Sequence, residues 1–232
     1  MDRPRRPLAP VLLGPGVGDG PPGAVDLLVL AGGRGERLGG QDKAALVLDG
    51  RPLLDRVLDA APSLGGRVVV VGDTAVPPGV LRTLEDPPDG GPVAGIDAGL
   101  AVLGRAGRDG GPAPWVAVVA VDQPAAAQAL SSLRAALTRV PDDVDAVSHV
   151  DGTGHRQWLL ALYRRAALEG ALAALPGARH TSVRRLVGDL AWWAVDAGGE
   201  HVGDVDTWAD LEGWERRLRR GRMAGQLPEK EG

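Results

Sequence analysis

The segment Val25–Leu30, VDLLVL, is a short apolar run that passes without a break into AGGRGERLGGQDKA at residues 31–44. With one polar residue in six it carries neither a helical stripe nor a strict alternation, and it fits a strand covered on both faces, as in a parallel sheet. Two further runs repeat the pattern, RVVVV at 67–71 and WVAVVAV at 115–121, the second closing on Asp122. Between them the spacing predicts helices over 52–60 (with Pro52 in its first turn), 94–103 and 125–139, and a short strand over 81–84 that leads into EDPPDGGPVAG. The second half is less regular, with strands expected at 146–150, 158–163 and 190–195 and helices at 164–175, 182–187 and 208–220. Strands alternating with helices predict an α/β fold, Rossmann-like, with a mostly parallel sheet and helices on both faces. In such sheets ligands bind beyond the C-terminal strand ends, which is where the glycine-rich segment, Glu85-Asp86 and Asp122 fall.

Residues 1–23 read as a disordered Pro/Gly tail, 24–220 as one domain and 221–232 as a polar tail. The apolar part of the N-terminus, Leu8–Leu13, is broken by Pro10 and followed by Gly14, Pro15 and Gly16, too interrupted for a signal peptide. No run approaches the roughly 18–20 apolar residues of a membrane helix. The absence of Cys excludes disulfides, thiolate metal sites and a cysteine nucleophile, and a net charge of −4 offers no basic field for nucleic acid or an anionic membrane. A cytoplasmic location is expected. Phe is absent and Tyr occurs once, so the core must be built from Val, Leu, Ala and the six Trp. Of the 26 basic residues only Lys43 and Lys230 are lysines, and Lys43 sits in the glycine-rich segment. A compact ammonium on a flexible stem is useful there.

Glycines after a buried strand let the backbone approach a ligand and aim successive N–H groups at anionic oxygens. Arg34, Arg37 and Lys43 add the positive charge that a triphosphate requires. A dinucleotide fingerprint needs G-x-G-x-x-G with an acidic residue about 20 positions on. Here Leu38 stands where the last glycine belongs, and Asp73 is too distant. A P-loop needs Gly-Lys-Ser/Thr, but Gly40 is not adjacent to Lys43 and Ala44 follows it.

LAGGRGERLGGQDKAAL resembles the signature of the sugar-nucleotidyltransferase-like superfamily and, more narrowly, that of the molybdenum cofactor guanylyltransferase family. Three further blocks match in order: Glu85-Asp86 with Gly91–Ile96 and Ala98-Gly99-Leu100; Val121-Asp122-Gln123-Pro124; and Asp204–Thr207 leading into Ala209-Asp210-Leu211. The resemblance spans about residues 25–220. It implies a nucleotide-diphospho-sugar-transferase type of fold, and it implies that Leu30, Ala31, Gly32 and Gly33 contact the nucleotide. Lys43 would bind phosphate, with Arg37 beside it. Asp86 with Gly91 and Pro92 would hold the nucleoside, and Asp122 would ligate Mg²⁺. Lys43 and Asp122 are thus the expected catalytic pair. Gly32-Gly33 and GPVAG lean toward GTP, since the related cytidylyltransferases carry L-A-A-G.

Asp122 also stands on its own chemistry, because Mg²⁺ is commonly held by one or two carboxylates plus substrate phosphates; the competing reading is a cap for the helix at 125–139. Asp86 before two prolines is equally a turn initiator. Asp204 and Asp206 stand where the family often has Asn. Asp206 reads as a second metal ligand, or either residue as a cap of the last helix. His149, His155, His180 and His201 show no metal-ligand spacing. Arg156 and Gln157, in the loop that begins at Gly152, fall where the family binds its acceptor. Trp192-Trp193 reads as core or interface, and Arg216, Arg217, Arg219 and Arg220 as a solvated helix face.

The resulting expectation is Mg²⁺-dependent transfer of GMP from GTP to a molybdopterin-type cofactor, with release of pyrophosphate. Transient contact with other cofactor-biosynthesis proteins or molybdoenzymes would follow. The rivals are another base such as CTP or another phosphorylated acceptor, a non-catalytic nucleotide-binding protein, and an NAD-binding oxidoreductase.

Overall fold

In β1 (Val25–Leu30) every residue is buried, and its side chains divide between two cores. Val25, Leu27 and Val29 point to one face of the sheet, Leu28 and Leu30 to the other, the period-two outcome of an extended chain. Burying each such aliphatic side chain contributes about 1.5–3 kcal/mol of transfer free energy. The computed structural model describes residues 23–32, 41–105, 111–150, 155–196 and 203–225, with side chains to 220.

After β1 the chain forms a 3₁₀ turn (Lys43–Ala45), a small hairpin of β2 (Val47–Leu48) and β3 (Arg51–Pro52), then α1 (Leu53–Leu58) and α2 (Ala61–Leu64). It continues through β4 (Gly65–Val71), β5 (Leu81–Thr83), α3 (Pro92–Arg105), β6 (Trp115–Ala120) and α4 (Ala126–Ala136). Then follow β7 (Ala146–Val150), β8 (Arg156–Arg164), α5 (Arg165–Ala173), α6 (Val183–Val187), β9 (Trp192–Asp196) and α7 (Trp208–Gly225). The hairpin was not anticipated: its strands are two residues each and carry no alternation to read. The single helix expected over 52–60 is two short ones, with Pro52 preceding α1 as its cap residue rather than lying in its first turn. The last helix runs to Gly225 instead of ending at 220. Residues 1–22 and 226–232, where tails were expected, lie outside the described residues.

The main sheet has seven strands in the order β5-β4-β1-β6-β8-β7-β9. All run parallel except β8, which is antiparallel to both β6 and β7. Helices α1, α2 and α4 cover one face and α3, α5 and α6 the other. From β1 the chain winds outward through β4 to β5, then returns to β6 on the other side of β1. The switch point therefore lies between the C-terminal ends of β1 and β6.

At the opposite end of β1, buried Asp26 accepts from the Arg67 backbone N–H at 2.7 Å and from Arg165 Nη2 at 2.7 Å, pinning β4 and the start of α5. A third cluster of Leu46, Leu48, Leu53, Val205, Leu211 and Trp214 docks α7 against the hairpin. That docking returns the chain's last described segment to the switch point.

Candidate functional site

The ladder continues past the strand ends. Ala31 N–H donates to the Val71 carbonyl at 2.8 Å and Val121 N–H to the Leu30 carbonyl at 3.0 Å. Ala31 and Asp122 consequently leave the sheet side by side. Asp42 caps the 3₁₀ turn by accepting from Ala44 N–H at 2.9 Å, which sets the direction of the Lys43 stem. Lys43 Nζ donates to Asp122 Oδ2 at 2.9 Å and to Asp206 Oδ1 at 2.6 Å. Residues 79 and 163 positions apart are thus joined through one ammonium.

Asp206 is delivered by Val205, which is fully buried in the third cluster and donates its N–H to the Asp122 carbonyl at 2.9 Å. In an extended segment the neighbours of an inward residue face the other way, so Asp204 and Asp206 both line the cleft. Neither caps α7. Thr207 does: its hydroxyl accepts from Asp210 N–H at 3.2 Å while the Asp210 carboxylate accepts from Thr207 N–H at 2.8 Å, a reciprocal capping box. Nor does Asp122 cap α4, whose cap residue is Ala125 with no side-chain bond.

The cleft has a volume of about 340 Å³ and includes Asp122, Gln123, Arg156, Gln157, Asp204 and Asp206 in its lining. Arg156 and Gln157 reach it because β8 is antiparallel. Its N-terminal end lies at the edge where the parallel strands end. They are the first residues of that strand rather than loop residues. The Arg156 guanidinium lies 5.6 Å from the centroid of Trp192, whose indole N–H donates to the Val187 carbonyl at 3.1 Å, so a cation–π contact orients the arginine.

Three carboxylates, Asp122, Asp204 and Asp206, line this cleft, and Lys43 pairs with two of them. Burial pushes the Asp122 carboxyl above the ordinary carboxylate range; Lys43 opposes this, and Asp204 and Asp206 add to it. Burial also pulls Lys43 down, but the hydrogen bonds and charges of Asp206 and Asp122 outweigh it, leaving Lys43 above an ordinary lysine. Even with Arg156 counted beside Lys43, carboxylates outnumber cations in the cleft, and the donors that they offer are hard oxygens. That matches a magnesium ion shared between carboxylates and phosphates. Among the described residues no three side-chain ligands converge as in a closed metal site. Gln123 Oε1 is buried without a hydrogen-bond partner among the described residues.

Of the expected site residues, the structure brings Lys43, Asp122 and Asp206 into contact and places Leu30, Ala31 and Gly32 at the adjoining end of β1. Gly33 and Arg37 lie outside the described residues, as does Arg34. Asp86, Gly91 and Pro92 lie on the same edge, in the connection from β5 to α3; Asp86 is exposed and Pro92 opens the helix. α3 approaches β1 closely because Gly95 and Gly99 face Leu30 and Leu28; a Cβ at Gly99 would stand 2.6 Å from Leu28 Cδ1. Gln123, Trp158 and Val183 also line the cleft and were not anticipated. No local signal marks Trp158 and Val183, whose place depends on strand order, whereas Gln123 directly follows Asp122.

His149 is a core residue, bonded through Nε2 to Ser132 Oγ at 3.0 Å. Trp192 and Trp193 pack at the margins of opposite cores. On α7, Arg217 stacks on Trp214 at 4.6 Å, while Arg216 and Arg219 pair with glutamates one turn back.

A mostly parallel sheet whose switch-point cleft sets a lysine between aspartates defines an α/β domain of the nucleotidyltransferase type. Residues 27–193 match the MobA-like NTP transferase domain, and the chain belongs to that family. The molybdenum cofactor guanylyltransferase of Desulfosudis oleivorans is 30% identical over 213 residues, covering 87% of this chain and 99% of that protein. The enzyme of the same name from Cereibacter sphaeroides is 44% identical over 88 residues, which span 35% of this chain and 44% of that protein. Among solved structures, a nucleotidyl transferase from Methanothermobacter superposes with a TM-score of 0.62 at 19% identity, covering 85% of this chain and 99% of that one. Molybdopterin-guanine dinucleotide biosynthesis protein A from Archaeoglobus fulgidus superposes at 0.59 with 18% identity, covering 84% and 100%. No helix among the described residues is long and apolar enough to cross a membrane.

Proposed function

We propose that this chain transfers GMP from GTP to the terminal phosphate of a molybdopterin-type molybdenum cofactor, forming the guanine dinucleotide cofactor and releasing pyrophosphate. The observation that carries the reading is the junction of Lys43 with Asp122 and Asp206 at the switch point. The full-length likeness to a molybdenum cofactor guanylyltransferase supports the choice of substrates. An acceptor phosphate is already ionised and nucleophilic. Its oxygen attacks the α-phosphorus of GTP while the bond to the β-phosphate oxygen breaks, and pyrophosphate carries the electron pair away. Such a transfer needs alignment and charge neutralisation rather than a covalent residue.

Leu30, Ala31, Gly32 and Gly33 contact the triphosphate, though not through the Ala31 N–H, which donates to the Val71 carbonyl, and Arg37 adds charge. Lys43 supplies an ammonium to the phosphates, and the carboxylates on either side aim it. Asp86, Gly91 and Pro92 hold the nucleoside. Arg156, set over Trp192, and Gln157 offer donors to the acceptor phosphate. Asp122 and Asp206 would hold Mg²⁺, which supplies neutralisation of the triphosphate charge when bound. The location proposed is the cytoplasm, with transient contact to proteins that hand over or receive the cofactor.

The test is a pyrophosphate-release and thermal-shift screen of GTP, CTP, UTP and ATP with Mg²⁺, with and without molybdopterin. Release that requires both GTP and molybdopterin supports the reading. Release with CTP alone transfers the assignment to cytidylyl transfer, and stabilisation by GTP without any release makes the chain a binding protein.

A further inference from the structure

The connection Glu85–Gly91 contains Pro87 and Pro88, whose nitrogens cannot donate hydrogen bonds, and it turns through Asp89 at φ +61° and Gly91 at φ +85°. Two of its seven residues therefore supply no backbone donor. Its carbonyls are taken up by two consecutive residues between α5 and α6. Arg179 Nη1 donates to the Pro87 carbonyl, Nη2 donates to the Pro88 carbonyl at 3.2 Å, and His180 N–H donates to the Gly90 carbonyl at 2.7 Å. Gly90 is buried beneath this clamp, and a Cβ there would stand 2.6 Å from Ala94 Cβ and 3.0 Å from Arg179 Nη1. Three residues after His180, Val183 lines the cleft that holds Asp122 and Asp206. One short stretch therefore grips the 85–91 connection at one end and forms cleft wall at the other.

We infer that Arg179 is a positioning residue for the nucleotide: its planar fork fixes the 85–91 connection in the shape that receives the nucleoside, and ties that connection to the cleft. The inference rests on the reading of Asp86, Gly91 and Pro92 as nucleoside-binding. A guanidinium suits the task because it spans two neighbouring carbonyls at once, which a lysine cannot do as well.

The test compares the full-length protein with Arg179→Ala, Arg179→Lys, Arg184→Ala and Gly91→Val. Calorimetry measures the affinity for Mg·GTP, and pyrophosphate release measures kcat and both KM values. Arg179→Ala should weaken Mg·GTP about 10-fold, the order expected from losing two charge-assisted bonds at an exposed position. The kcat at saturating GTP and the acceptor KM should stay within about twofold, since no group that touches the acceptor is altered. Arg179→Lys should recover part of the affinity, and Arg184→Ala, on the neighbouring helix, should match the wild type. Undiminished GTP affinity in Arg179→Ala overturns the inference. So do equal losses for both substrates with a lowered thermal midpoint, which would mark the clamp as merely structural. Should Gly91→Val weaken Mg·GTP while Arg179→Ala does not, the clamp alone is refuted. If neither does, the connection is not the nucleoside site and the underlying reading is refuted with it.

Discussion

Replacing Lys43 by alanine removes the ammonium between Asp122 and Asp206 and leaves their carboxylates facing one another and Asp204. Breaking a fully buried ion pair from one side costs about 3–5 kcal/mol, while an exposed pair is worth about 0–1 kcal/mol. The side chains of Lys43 and Asp122 are each 18% exposed and that of Asp206 is 43% exposed, so the cost lies between these limits, about 1–3 kcal/mol. For a chain of this size, at about 2–4 °C per kcal/mol, the midpoint should fall by about 2–12 °C at pH 7.5.

The deficit should depend on pH with a definite sign. Burial already holds the Asp122 carboxyl above its ordinary value, so its ionisation costs stability as pH rises through the carboxylate range, and losing Lys43 enlarges that cost. Lys43 stands above an ordinary lysine, so its contribution is complete below about pH 10 and is lost as pH climbs through the raised value. The gap between the two proteins should therefore be smallest near pH 4–5, reach its plateau at neutral pH, and close again in strong alkali. Differential scanning calorimetry from pH 4.5 to 8, with turnover measured in parallel, provides the check. Turnover should drop about 100- to 1,000-fold, the scale for deleting one preorganised charge-stabilising donor. A variant with wild-type midpoints across the pH range and unchanged turnover would refute the coupling of Lys43 to both aspartates.

Asp122→Asn should behave in the opposite way on stability, with an unchanged or raised midpoint at neutral pH because a disfavoured buried charge is gone, while pyrophosphate release falls by about 1,000-fold. Gly99→Val drives a side chain into Leu28 and Val71, which stand 2.6 Å and 3.1 Å from a Cβ at that position; urea unfolding should show a loss of about 1–3 kcal/mol, and KM for GTP should rise as α3 carries Pro92 outward. Thr207→Val removes the hydroxyl of the α7 cap at a cost of about 1 kcal/mol. Hydrogen bonds from the Thr207 hydroxyl and then its N–H hold the Asp210 carboxyl below its ordinary value, so that contribution is present above the carboxylate range and lost as pH falls through the lowered value. Denaturant titrations should accordingly show the gap between variant and wild type narrowing on acidification.

Local pattern carried much of this protein. The run from Val25 to Leu30, the two valine-rich strands, and the placement of the glycine-rich segment and Asp122 directly after strand ends are properties of neighbouring residues, and hydrophobic period and turn chemistry express them without reference to the rest of the chain. Those signals suffice for the α/β class and for the edge of the sheet on which the chemistry sits. Three things lay beyond them. The direction of β8 depends on which neighbours it pairs with, and only an antiparallel β8 carries Arg156 and Gln157 into the cleft. The meeting of Lys43 with Asp206 depends on α7 docking against the β2–β3 hairpin through Val205, Leu211 and Trp214. The grip of Arg179 and His180 on the 85–91 connection depends on two loops that are neighbours only once the sheet has formed. Strand order, strand direction and docking are settled by packing between segments far apart in the chain, and no window of sequence contains both partners of such a contact.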